Sequence, residues 1–118
     1  MNALRELSKQ EKALLVALLQ GKPETVHLVP LTNDLVVREM NDGGMGSLAL
    51  IPKGLEESSR AFGKEVALGE YTDRDGVPVS VAINVDSQGK LYELDMWKVD
   101  FGPLLAWPPN PAQIRIVR

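Results

Sequence analysis

The sequence predicts an α+β domain in which an N-terminal helix packs on one face of a mainly antiparallel, hairpin-connected sheet of about five to seven strands. Three observations carry this expectation. One capped amphipathic segment opens the chain, the apolar period falls to two after Pro23, and clusters of Asn, Asp, Gly and Ser punctuate the remainder at regular intervals. At 118 residues, two independent cores would each be too small to bury enough surface, so residues 1–118 are read as a single domain.

The helix is predicted over Lys9–Gln20. Ser8 and Glu11 stand at capping-box spacing: the hydroxyl can accept the amide three residues on, and the carboxylate can reach back to the Ser8 amide. Gly21 is expected to supply a left-handed stop, and Pro23 forbids continuation. Leu14, Leu15, Leu18 and Leu19 form a three-four stripe facing the sheet, with Leu4 and Leu7 extending the contact.

Strands are expected at about residues 25–29, 35–40 and 47–51, with the hairpin loop Asn41-Asp42-Gly43-Gly44 between the second and third. Residues 53–60 read as a polar loop or a short helical turn. A second hairpin pairs residues 64–72 with 77–85 through Asp73-Arg74-Asp75-Gly76. Val77, Val79, Val81, Ile83 and Val85 share one face of that strand, and Pro78, Ser80, Ala82 and Asn84 the other. After the turn Asp86-Ser87-Gln88-Gly89 comes a strand over 90–101 with imperfect alternation. Tyr92, Leu94 and Met96 lie on one face and Trp97, Val99 and Phe101 on the other, which requires either two covered faces or a bulge near Met96 and Trp97. Trp97 is expected in the core. Trp107, beside Leu104, Leu105 and the proline run, is expected to fold back as a lid, and residues 113–117 to form a short edge strand.

A composition of 44% hydrophobic and 25% charged residues is that of a globular protein. The net charge of -3 argues against DNA or RNA, whose grip requires clustered Lys and Arg. The absence of cysteine excludes disulfides, thiolate zinc sites and cysteine nucleophiles, and fits a reducing cytoplasm. The longest apolar run near the start, residues 13–19, is too short to span a membrane, and Gln20-Gly21-Lys22 is a poor signal-cleavage site.

Three stretches stand out together: Asp42-Gly43-Gly44-Met45-Gly46-Ser47-Leu48, Asp73-Arg74-Asp75-Gly76-Val77-Pro78-Val79, and Glu93-Leu94-Asp95-Met96-Trp97-Lys98-Val99-Asp100-Phe101. The set resembles an uncharacterised family of small bacterial proteins, a domain of unknown function. The resemblance covers nearly the whole chain. It implies a bacterial single-domain protein, and no activity, cofactor or catalytic residue comes with it.

Gly43, Gly44, Gly46 and Ser47 could present amides to an anion, but the loop lacks the Lys-Ser/Thr ending of a nucleotide-binding loop, and hairpin turns need these same residue types. Asp73-Arg74-Asp75-Gly76 resembles the opening of a calcium loop without the remaining ligands, so no metal and no cofactor are expected. His27 is the sole imidazole, and no nucleophile-elbow sequence positions a serine beside it. Residues 70–100 carry seven acids against three bases, so Glu93, Asp95 and Asp100 around Trp97 suit a basic protein partner, against the plainer reading of a solvated sheet face.

Scarce catalytic machinery and concentrated acids point to a non-enzymatic cytoplasmic protein-binding module, of which a toxin-neutralising immunity protein is one form. The alternative is a small-molecule-binding protein or a metal-assisted hydrolase using the Gly43 to Ser47 loop and nearby carboxylates. A third expectation is a homodimer formed through the edge at 113–117.

Overall fold

The computed structural model describes residues 2–108 and 110–117. Helix α1 covers Lys9–Gln20 and begins at the capping box, with the Glu11 amide donating to the Ser8 hydroxyl (3.1 Å) and the Ser8 amide to the Glu11 carboxylate (2.8 Å). Its end corrects the expectation for Gly21. That residue is right-handed (φ -68°), and its amide turns back onto the Leu18 carbonyl, so Pro23 and not a left-handed glycine stops the helix.

Two further corrections concern the first third of the chain. A short strand β1 (Arg5–Glu6) precedes α1, so the helix is not the first element; Leu4 is exposed while Leu7 packs on the core. Residues 25–29 are not a strand. A 3-10 helix runs over Val26–Asp34, because the Thr25 hydroxyl donates to the Leu19 carbonyl (2.6 Å) and local bonds such as Leu28 amide to Thr25 carbonyl close the backbone on itself. Pro30, with no amide, also disqualifies this stretch from a paired strand.

The remaining strands are β2 (Leu35–Glu39), β3 (Leu48–Pro52), β4 (Phe62–Thr72), β5 (Pro78–Asp86), β6 (Leu91–Lys98) and β7 (Arg115–Ile116). They form one seven-stranded sheet in the order β1-β2-β3-β6-β5-β4-β7, and every neighbouring pair is antiparallel. Hairpins join β2 to β3, β4 to β5 and β5 to β6. The segment from β3 to β4, with a single 3-10 turn at Glu57–Ser59, carries the chain across the sheet.

The core lies between α1 and one sheet face. Leu14, Leu15, Leu18 and Leu19 share it with Val79, Val81, Ile83 and Val85, while Val77 sits half-buried in the turn before β5. Two glycines permit close approaches. A Cβ on Gly69 would stand 2.6 Å from a Leu18 methyl, and one on Gly63 would stand 2.2 Å from the Asp86 carbonyl oxygen, where β4 carries an irregularity against β5.

Strand β6 resolves its mixed alternation differently from the sequence expectation. The irregularity lies at Tyr92, the extra residue between the pairs Val85–Leu91 and Asn84–Glu93, and not near Met96 and Trp97. It lets both Leu91 and Leu94 reach the core. Beyond it the period is regular: Leu94, Met96 and Lys98 face α1, and Glu93, Asp95 and Trp97 face away. Trp97 is therefore 50% exposed and not a core residue. Trp107 packs half-buried against the core and over Gly46. Among the described residues, no helix is long and apolar enough to cross a membrane.

Candidate functional site

The sheet face turned away from α1 is the candidate site. Across its centre β5 presents the small residues Ser80, Ala82 and Asn84, and the register sets Trp97 opposite Ser80, Asp95 opposite Ala82 and Glu93 opposite Asn84. Asn84 donates its amide to Glu93 (2.9 Å). Asp95 is exposed and, among the described residues, its carboxylate has no hydrogen-bond or ion-pair partner. The face thus joins three of the four predicted partner-binding residues, Glu93, Asp95 and Trp97. Asp100 lies apart, in the turn after β6, where it accepts the Gly102 amide (2.9 Å).

Where this face meets β3, the sheet splits. Strands β3 and β6 pair only at Leu48–Leu94 and Ala49–Glu93. The Arg60 guanidinium fills the gap beyond, donating to the Leu50 carbonyl (2.7 Å), the Leu91 carbonyl and the Asp86 carboxylate (3.0 Å), with its Cζ 5.1 Å from the Tyr92 ring centre. Both partners of the Arg60–Asp86 pair are 3% exposed. A cleft of about 330 Å³ opens beside it, lined by Arg38, Glu57, Arg60, Tyr92 and Glu93 among others. Arg38 and Glu57 are paired with each other, so the charges lining the cleft largely satisfy one another.

The other acids of the 70–100 segment serve the fold. Lys98 is buried, and its ammonium donates to Asp73 (2.8 Å), Asp75 (2.7 Å) and the Pro103 carbonyl (3.1 Å). Burial opposes the Lys98 charge, but the bonds to Asp73 and Asp75 outweigh it and hold its pKa above the ordinary value. Burial likewise pushes Asp73 up. Its bonds from Lys98 and from the amides of Leu105, Arg74 and Ala106 prevail, bringing it down to about 2. Tyr71, which donates to the Ala106 carbonyl (3.0 Å), is pushed up by burial and by Asp73. Asp73 thereby ties the 103–107 segment to the sheet end. Asp86 accepts the amides of Gln88 and Lys90 as well as Arg60.

In the glycine loop, the Asp42 carboxylate accepts the amides of Met45 and Ser47 (both 3.0 Å). The Ser47 hydroxyl accepts the Met96 amide (2.8 Å) and donates to the Met96 carbonyl (3.2 Å), standing in for a strand partner where β3 and β6 have none. Pro103 lies close to Gly44, while Leu104 and Trp107 lie over Gly46. Gly43 is open to solvent. His27 is exposed on the 3-10 helix, beside a separate cleft of about 430 Å³ with Lys22 and Lys64. Among the described residues, no three carboxylate or imidazole groups gather as cation ligands.

Sequence reasoning missed Lys98 and Arg60. Lys98 carried a readable signal, being in phase with Leu94 and Met96 on a strand whose core face is apolar. Arg60 carried none, since it acts on the carbonyls of two strands distant in sequence.

Set against known proteins, a family model described as a domain of unknown function matches residues 4–108. No curated protein and no solved structure matches the chain.

Proposed function

We propose a function from one premise: the chain belongs to the family DUF6984, a domain of unknown function. It acts as a non-enzymatic, single-domain protein-binding module of the bacterial cytoplasm, and the sheet face opposite α1 takes a basic partner. One observation carries this reading. Trp97 stands half exposed beside Glu93 and the unpaired Asp95, over a floor of Ser80 and Ala82. An exposed indole on a flat, small-residue surface is the kind of anchor that dominates protein interfaces, and neighbouring carboxylates select partners of opposite charge. A toxin-neutralising, immunity-like role is one form of it, in which the acidic face covers a basic surface of the toxin.

The small-molecule or hydrolase alternative has less support. Its loop amides at Met45 and Ser47 are already given to Asp42, and the Ser47 hydroxyl to Met96.

Affinity capture from bacterial lysate tests the proposal. The wild-type chain is expected to retain a discrete partner that the double variant Glu93→Lys, Asp95→Lys loses. Equal recovery by both chains would remove the acidic face as the binding surface.

A further inference from the structure

Resting on that reading, we infer that the touching rings of Trp97 and Phe101 form an aromatic seat for one cationic side chain, an arginine or lysine of the protein partner, with Asp95 supplying the counter-charge on the Trp97 side and Asp100, in the turn that carries Phe101, adding to it. The starting point is a backbone outlier. Phe101 is the one non-glycine residue with positive φ (63°) among the described residues, a conformation that a bulky side chain adopts only when its surroundings impose it. The strain does not bury the ring, for Phe101 is 69% exposed and its neighbours Trp97 and Val99 are about half exposed. Among the described residues the aromatic partner of this ring is Trp97, itself half exposed, so the pair is held together at the surface and not in the core.

The turn that holds it is anchored from beneath. The Phe101 amide donates to the Lys98 carbonyl (2.9 Å), the Val99 amide to Pro78 (3.1 Å), and the buried Lys98 ammonium to Pro103 (3.1 Å). Asp100 closes the bend on Gly102. The rings are therefore positioned before any partner arrives, which lowers the ordering cost of binding.

The ring centres are 6.1 Å apart with the planes tilted by 46°, so the two rings touch each other, and with Trp97 50% and Phe101 69% exposed their outer electron-rich faces stay open to a cation. Among the described residues, the cation over an aromatic ring is Arg60 over Tyr92, and none lies over Trp97 or Phe101. The flanking acids decide the sign of the occupant. Asp95 shares the open face with Trp97, and Asp100 adjoins Phe101. A purely apolar partner would desolvate both carboxylates without compensation, whereas a guanidinium or ammonium satisfies ring faces and carboxylates together.

The test is an NMR titration at low ionic strength with the peptide acetyl-Gly-Arg-Gly-Arg-Gly-amide, and with its counterpart carrying norleucine for arginine. Expected with the arginine peptide are saturable shifts of the Trp97 indole and of the Val99 and Phe101 amides. Affinity should be at least about fivefold weaker for the norleucine peptide and for Trp97→Leu or Phe101→Leu, in line with one cation–ring contact. Asp95→Asn with Asp100→Asn, which leaves both rings intact, should weaken binding similarly and covers the case of a leucine variant that fails to fold. Equal binding of the norleucine peptide, shifts centred elsewhere, or no shifts at about 10 mM peptide would each overturn the seat. If the lysate partner is lost on reversal of Glu93 and Asp95 but retained by Trp97→Leu, the inference fails while the protein-binding reading stands. A seat that binds arginine peptide in a chain capturing no partner would show the opposite failure.

Discussion

Two buried cations hold together the parts of this molecule that backbone pairing leaves open. Arg60 occupies the fork between β3 and β6, and replacing it with methionine strands Asp86 and two carbonyls. Arg60→Met is expected to lower the unfolding free energy by about 3–5 kcal/mol in urea denaturation, with Arg60→Lys between it and wild type. Asp73 gives a pH signature. Its pKa falls from 3.8 to about 2 on folding, so its ionised form stabilises the fold above the unfolded value, and that contribution drains away as pH drops from about 4 to about 2. Asp73→Asn should be less stable at neutral pH and should lack that part of the acid slope; an unaltered slope would show that Asp73 does not supply it. Sequence alone exposed half of this. The aspartates of the Asp73-Arg74-Asp75-Gly76 turn were visible as turn residues, while their partner Lys98 was legible only through its phase with Leu94 and Met96 on the core face of its strand.

The secondary elements differ in how far their boundaries follow from local chemistry. Helix α1 was legible to the residue, since both halves of its capping box are local, and Ser8→Ala should cost about 1 kcal/mol by thermal or urea unfolding. Strand β5 was legible because its period-two face is buried without interruption from Val79 to Val85. The 3-10 helix at Val26–Asp34 was not, because it is set by the Thr25 hydroxyl turning to the end of α1, a contact with no sequence period. Trp97 was rightly set on the face opposite Leu94 and Met96, but that its face is open was lost, because alternation along one strand does not say whether a second layer covers the other side. Between elements, α1 rests on β4 at Gly69. Gly69→Ala forces a methyl against Leu18 and should cost about 1–3 kcal/mol while the circular dichroism spectrum keeps its shape.

At the scale of the whole sheet, strand order could not be read from sequence, because it depends on a pairing of β3 with β6 that spans three intervening elements. The outer strands β1 and β7 have two residues each and carry Arg5, Glu6 and Arg115, a composition that works against the homodimer expected through the edge at 113–117; light scattering at micromolar concentration decides between them, a monomer being expected from the charged edges and a dimer upholding the edge pairing. The joint between β3 and β6 has a consequence for how the fold comes apart. Only two residue pairs bind it through the backbone, and a serine hydroxyl and an arginine supply the rest. The hairpins β4–β5 and β5–β6 are paired along nearly their whole length. Deuterium uptake should therefore be slowest in β5 and earlier at Leu48 and Leu94, marking a hinge line between two leaves of unequal strength. Two separately made halves, divided within the exposed stretch at residues 53–56, should find each other and rebuild the sheet along that line.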